Sequence, residues 1–300
     1  VSAEEPATAD DAATTDETTA TDEYAWAGDR IRRWLAQAAG LERQLQPVSD
    51  LLFAAADLQA GERVLDVGCG HGPTTRFAAA AVGPDGAVTG IDIAQGMLDA
   101  AASIEVDAAS APITWTAADV GSWTPPAEGF DVVLSRFGVM FFDDPLAAFT
   151  ALAAATRPGG RLVLATWARR SENEVFEVPY RAAGAVVTAT GAPIPEVPEI
   201  SGPYSLPDLT VNGPLLDAAG FTDVAVEVHD VTLPLGGGLA PVDAAAGTLD
   251  LGPGRVVVTA HPELTDQIRD AIAVALADHV DAEGHVQLGA RIVITTARRA

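Results

Sequence analysis

Between Gly61 and Trp167 short apolar runs alternate with longer stretches of helical spacing. RVLDV suits a strand buried on both faces. TTRFAAAAV is helical, AVTGID a second strand, AQGMLDAAAS a second helix and ITWTAADV a third strand. FDVVLSRFG is a fourth strand that runs into a loop. DPLAAFTALAAATR is a helix that Pro-Gly-Gly stops, and RLVLATW is a fifth strand. Strands alternating with helices of this length predict an α/β fold, a doubly wound parallel sheet with helices on both faces.

The flanks differ from this core, 61–168. Residues 1–23 are largely Ala, Thr, Asp and Glu, too polar to offset the entropy of ordering, and read as a disordered acidic tail. Residues 24–60 place Trp26, Ile31, Trp34, Leu35, Leu51 and Leu52 at helical spacing, with Pro47 dividing two helices. Those aromatics serve either as core anchors or as a helical lid over a site. Residues 169–207 are rich in Pro, Glu and Tyr and read as a capping insertion. From 208 to 300 the core pattern returns: a helix stopped at Gly220, an alternating half-exposed strand DVAVEVHDVTLPL, a second insertion at 236–262, then a helix and a last strand.

Composition narrows the function classes. The net charge of −25 argues against nucleic acid or an anionic membrane surface as partner. All 17 basic residues are Arg. This reads as a coding bias, with a salt-adapted acidic surface as the alternative. Cys69 is the single cysteine, so no intrachain disulfide forms. The N-terminal residues have no secretory pattern, and no apolar run approaches the ~18 residues of a membrane span. A cytoplasmic protein without stable membrane insertion is expected, as monomer or homodimer. The 278–285 segment matches neither calcium nor zinc ligand spacing, and His229 and His261 are isolated, so no metal site is expected.

The stretch VLDVGCGHGPTT carries the chemistry. Its glycines are Gly68, Gly70 and Gly72, and Pro73 stands where a dinucleotide fingerprint needs its last glycine. A phosphate-binding loop of the Gly-Lys-Ser/Thr kind is excluded because the chain has no Lys. Asp66, beside those glycines, would repel a pyrophosphate by on the order of 4 kcal/mol at ~4 Å. It would attract an ammonium or sulfonium. Asp92 ends the second strand, where a carboxylate can take both hydroxyls of a ribose. Asp119 follows the third, placed for an adenine amino group. Ribose, adenine, positive charge and no phosphate describe S-adenosylmethionine.

VLDVGCGHG, GIDIAQGML, AADV, FDVVLSRFGVMFFDDP and RPGGRLVLATW together resemble the class I S-adenosylmethionine-dependent methyltransferases, nearest the ubiquinone/menaquinone-type branch. The resemblance covers roughly 60–170. It implies a Rossmann-like, mostly parallel seven-stranded sheet with an antiparallel last strand. It also implies that Asp66 and the backbone of Gly68, Cys69, Gly70 and Gly72 hold the methionine part. Asp92 would hold the ribose, Asp119 with Val120 the adenine, and Ile93 and Met97 would pack on the adenosine. Ser135 and Arg136 would border the cofactor at the end of the fourth strand.

A methyl acceptor needs an apolar enclosure, and Trp26, Arg30, Phe137, Met140, Phe141, Trp167 and Tyr180 are its candidates, equally plausible as core. Arg30 or Arg136 could hold an anionic or phenolic group. No general base stands out: the loop after the fourth strand reads SRFGVMFF, and His71 lies along the cofactor tail. The expected function is methyl transfer to a small apolar or aromatic metabolite. The alternatives are a non-catalytic binder of S-adenosylmethionine or S-adenosylhomocysteine and, against Pro73 and Asp66, an NAD-dependent oxidoreductase.

Overall fold

The computed structural model describes residues 28–300; the acidic segment 1–23, Tyr24 and Trp26 lie outside the described residues. Two helices come first, α1 (Gly28–Gln44) and α2 (Gln46–Ala56). The chain breaks between them at Leu45 (φ −90°, ψ 3°), two residues before the proline expected to divide them. Pro47 instead occupies the first turn of α2, where its missing N–H leaves no bond unmade.

β1 (Arg63–Val67), α3 (Pro73–Val82), β2 (Ala87–Asp92), α4 (Gln95–Ala102), β3 (Ile113–Ala117), β4 (Phe130–Arg136), α5 (Pro145–Ala155) and β5 (Thr156–Trp167) follow the expected alternation. The apolar runs are covered on both faces: Val64, Leu65, Val132, Val133, Leu134 and Leu162 are fully buried. Each such side chain contributes about 1.5–3 kcal/mol. β5 departs from expectation at its start. Thr156 already pairs with Phe130, and the next pair is Val132 with Arg161, so Arg157–Gly160 bulge out of the ladder. α5 ends before Thr156, already extended (φ −83°, ψ 126°) two residues ahead of Pro158, and Gly159 (φ +78°) turns the bulge.

The chain continues as α6 (Glu174–Ala189), α7 (Leu209–Ala218), β6 (Phe221–Pro234), α8 (Pro241–Thr248), α9 (Pro253–Ala260), α10 (Thr265–Leu276) and β7 (Gln287–Arg299). Asp208 caps α7 by accepting the Thr210 and Val211 N–H groups. The strand order is β3-β2-β1-β4-β5-β7-β6. β1 to β5 are parallel, and β7 runs antiparallel to both of its neighbours. Winding reverses between β1 and β4, so their carboxyl ends border the crevice where open α/β sheets take ligands. No described helix is long and apolar enough to cross a membrane.

Candidate active site

The loop between β1 and α3 presents Gly68, Gly70 and Gly72, with φ of +65°, +55° and +78°. They are glycines for three different reasons. A Cβ on Gly68 would lie 2.5 Å from the Cα of Gly138, in the loop after β4. A Cβ on Gly138 would in turn lie 2.5 Å from the Val67 carbonyl oxygen. The two loops therefore touch backbone to backbone. A Cβ on Gly72 would lie 2.3 Å from the Trp115 ring. A Cβ on Gly70 would meet nothing within 4 Å. Gly70 is thus the glycine of the three that turns bare backbone toward open space. Gly138 escaped the sequence reading; its only mark there is a glycine directly after an apolar strand.

The strand register sets the three acids at successive strand ends. Asp66 pairs with Gly90, Asp92 with Ala117, and Asp119 follows two residues beyond. Their environments differ. Asp92 is half-buried and accepts the Gly70 and Ala94 N–H groups, each at 2.8 Å, which ties the glycine loop to the end of β2. Burial raises its carboxyl above the usual range, against the pull of those N–H donors. Asp119 is exposed and accepts the Gly121 N–H at 2.9 Å. Asp66 is fully buried behind the loop, and one oxygen accepts the Thr74 and Thr75 hydroxyls at 2.7 and 2.6 Å. Its other oxygen, Oδ1, has no partner among the described residues.

Burial pushes the Asp66 carboxyl from 3.8 up to about 6, with the two threonines acting against the shift. Between these values the folded state holds the proton more tightly than the unfolded chain does. Stability therefore falls as pH rises from 4 to 6 and is level above, a loss of about 3 kcal/mol at ~1.4 kcal/mol per unit. Asp66→Asn keeps an acceptor for the threonines and has no charge to bury. It is expected to match the parent below pH 4 and to exceed it at pH 7 by up to that amount. Urea unfolding at pH 4.5, 5.5 and 7 checks this; parallel pH profiles for the two proteins would refute it.

The remaining predicted cofactor contacts separate into groups. Ile93, next to Asp92, leaves 67% of its surface exposed, whereas Met97 and Val120 are buried. Cys69 is buried, and burial raises its thiol far above the usual range, so it is no nucleophile. Ser135 is fully buried; it donates to the Val67 carbonyl at 2.7 Å and accepts the Gly138 N–H at 3.1 Å. It joins the two loops rather than facing the crevice. Arg136 is likewise engaged: it donates to Ser49 Oγ of α2 at 2.7 Å and to both Glu42 oxygens of α1 at 2.7 and 2.8 Å. It fastens the two N-terminal helices to the end of β4. His71 is buried, with its Nε2 3.9 Å from Glu42, and burial lowers its proton affinity.

On the acceptor side, Phe137 holds φ +68°, a left-handed backbone rare for an aromatic residue. Its ring stacks on Trp167 at 4.4 Å with 4° between planes. Trp167 meets Phe176 edge-on at 4.9 Å, and Phe176 meets Tyr204 at 5.2 Å. This row joins β4, β5 and α6. Phe176 and Tyr204 were not foreseen; Phe176 lies one helical turn before Tyr180, the α6 aromatic that was. Tyr180 itself donates to the Pro195 carbonyl at 2.9 Å and lies under Arg170, bracing the 169–207 segment. Met140 is buried. Arg30 of α1 lies 5.7 Å from the Phe141 ring centroid, and Ile31 packs where a Gly96 Cβ would project, so α1 crosses from the β4 loop to α4.

Two observations fit an amino-acid-bearing adenosyl cofactor. The unpartnered Asp66 Oδ1 is a buried acceptor without a donor, and Gly70 turns bare backbone toward open space beside it in the loop. Known proteins agree. A family model described as a methyltransferase domain matches residues 64–160. Nocamycin O-methyltransferase from Saccharothrix syringae is 32% identical over 200 residues, which are 64% of this chain and 70% of that protein. Aklanonic acid methyltransferase DauC from Streptomyces sp. (strain C5) is 35% identical over 116 residues, 39% of this chain and 53% of its own length. The fold is shared with the YcgJ protein from Bacillus subtilis, at a TM-score of 0.51 and 15% identity over 84% of this chain and 97% of that one. The chain belongs to the class I S-adenosylmethionine-dependent methyltransferases.

Proposed function

We propose that this chain moves a methyl group to a small apolar or aromatic metabolite held against the Phe137–Trp167 stack. The observation that carries this reading is Phe137. Its left-handed backbone costs about 1–2 kcal/mol and turns an aromatic ring onto Trp167, directly beside the loop that meets Gly68. Two of the relatives support an oxygen acceptor by name: nocamycin O-methyltransferase and 27-O-demethylrifamycin SV methyltransferase from Amycolatopsis mediterranei, the latter 34% identical over 136 residues.

In this reading Asp66 and the backbone at Gly68, Cys69, Gly70 and Gly72 hold the cofactor's amino-acid part, Asp92 the ribose, and Asp119 and Val120 the adenine. Ile93 covers the adenosine. S-adenosylmethionine supplies an electrophilic methyl on a sulfonium. The protein's task is then to align the acceptor and exclude water, which is worth roughly 7–11 kcal/mol of barrier. The segment 137–142 contains no titratable side chain, and His71 is buried against Glu42. An acceptor that ionises readily, a phenol or a carboxylic acid, suits such a site better than an alcohol needing a strong base. Arg30, over the Phe141 ring, is the candidate cation for such an acceptor's charge.

Calorimetry with S-adenosylhomocysteine, paired with a labelled-methyl screen over phenols, carboxylic acids, quinols and thiols, tests the proposal. Asp92→Ala is expected to weaken cofactor binding by about 100-fold, since it removes the ribose acceptor and the tie to Gly70 together. Unchanged affinity in that variant, or no transfer to any of the panel by a protein that binds the cofactor tightly, would overturn it.

A further inference from the structure

We propose that the cleft between α8, α9 and α10 binds a small amphipathic anion, independently of the site at the glycine loop. The cleft is open to solvent and has a volume of about 570 Å³, within the range of small-molecule sites. Leu249 and Val258 are buried in its wall, and Ala246 stands exposed at its rim.

Its charged groups are not equivalent. Arg269 is already held by Asp266 at 2.9 Å and Asp270 at 3.4 Å. The Asp250 carboxylate accepts from Gln37 at 3.0 Å, and its carbonyl accepts from Arg33 at 3.2 Å, so this residue is turned toward α1. Arg255 is half-buried, and among the described residues no acceptor meets its guanidinium. That is unusual in a chain with 42 acids for 17 basic residues. Arg136, Arg161 and Arg170 each carry a carboxylate, and Arg33, Arg43, Arg63, Arg76, Arg298 and Arg299 each donate to a backbone carbonyl. Arg255 also lies in the first turn of α9, which holds no acidic residue, so its charge adds to the positive end of that helix. An anion in the cleft would meet both the guanidinium and the helix end.

A carboxylate on Arg255 with its apolar chain along Leu249 and Val258 satisfies both parts of the cleft. In a protein of net charge −25 an anion requires such a local cation.

Octanoate serves as the probe in a ligand-observed NMR titration of the full chain, with saturating S-adenosylhomocysteine present. Binding below about 1 mM is expected, weakened roughly tenfold or more by Arg255→Gln and likewise by Ala246→Trp at the rim. Arg269→Gln, whose cation is already neutralised, is expected to change it by less than about threefold. Neutral octanamide should bind at least about tenfold more weakly. Arg255→Gln should keep the parent melting temperature, because no partner is lost. Absence of octanoate binding up to about 10 mM, equal affinity in Arg255→Gln, or equal binding of octanamide would overturn the proposal.

Discussion

Gly70→Ala is expected to yield a folded protein that has lost cofactor affinity, and Gly68→Ala a protein that folds poorly or not at all. The two glycines lie two residues apart in one loop with similar positive φ, +55° and +65°. The left-handed backbone costs either alanine about 1–2 kcal/mol. The difference lies in what the new Cβ meets. At Gly68 it stands 2.5 Å from the Gly138 Cα, a backbone atom that no rotamer change can move aside. β1 and β4, which deliver the two loops, are paired from Val64–Val132 to Asp66–Leu134 and buried on both sides, so neither can retreat. Overpacking costs about 1–3 kcal/mol where side chains can yield. With backbone on backbone the combined loss reaches about 3–5 kcal/mol, much of a domain's stability. At Gly70 the Cβ enters open space, and only the left-handed cost is incurred. The methyl then fills the cradle proposed for the cofactor, and affinity for S-adenosylhomocysteine should fall by about 100-fold or more, on the order of 3 kcal/mol. Urea midpoints and calorimetry separate the two effects. A Gly70→Ala protein with normal affinity would move the cofactor away from this loop. A Gly68→Ala protein of normal stability would remove the contact between the loops.

Sequence reasoning reached the part of this site that local pattern encodes. Apolar runs and glycine stops located β1 to β5, and the position of Asp66, Asp92 and Asp119 after three of those runs brought them to one end of the sheet. What it could not reach was decided by tertiary neighbours distant in the chain. Gly68, Gly70 and Gly72 look alike as letters, yet one meets Gly138, one meets Trp115 and one meets nothing. Asp66 reads as a charge lining a crevice, and the fold places it behind the loop with a single unpartnered oxygen. Ser135 and Arg136 read as ligand contacts because they end β4, and their side chains are spent instead on Val67, Ser49 and Glu42. Tyr180 reads as a candidate for the acceptor pocket, and its hydroxyl is spent on the Pro195 carbonyl. In each case the residue type and strand position were legible, and the direction of the side chain was not, because that direction is set by partners whose placement only the whole fold determines.

Arg136→Ala should loosen the N-terminal helices from the end of β4 and raise the proton affinity of His71. The Arg136 side chain is 7% exposed and Glu42 is 26% exposed. The guanidinium reaches both Glu42 oxygens and Ser49 Oγ, so one side chain fixes α1 and α2 together. Truncating one partner of a buried pair costs about 3–5 kcal/mol, chiefly because the other charge stays behind. Glu42 keeps some access to water, which places the expected loss at about 2–3 kcal/mol. Arg136→Lys retains the charge without the planar fork and cannot serve Glu42 and Ser49 at once, so it should restore less than half of that loss. Replacing both charges, as Glu42→Gln with Arg136→Met, should cost less than Arg136→Ala alone, because no ion is left without its partner. His71 reports the same change from the other side. Burial lowers its proton affinity, Glu42 opposes that shift and Arg136 reinforces it. Without Arg136 the field of Glu42, 3.9 Å from Nε2, is countered by Arg76 alone, and the imidazole should titrate at higher pH. Thermal melts combined with an NMR titration of His71 test both halves. An unchanged melting temperature would mean that α1 and α2 are held without this pair. An unshifted His71 would mean that Glu42 turns to solvent once its partner is gone.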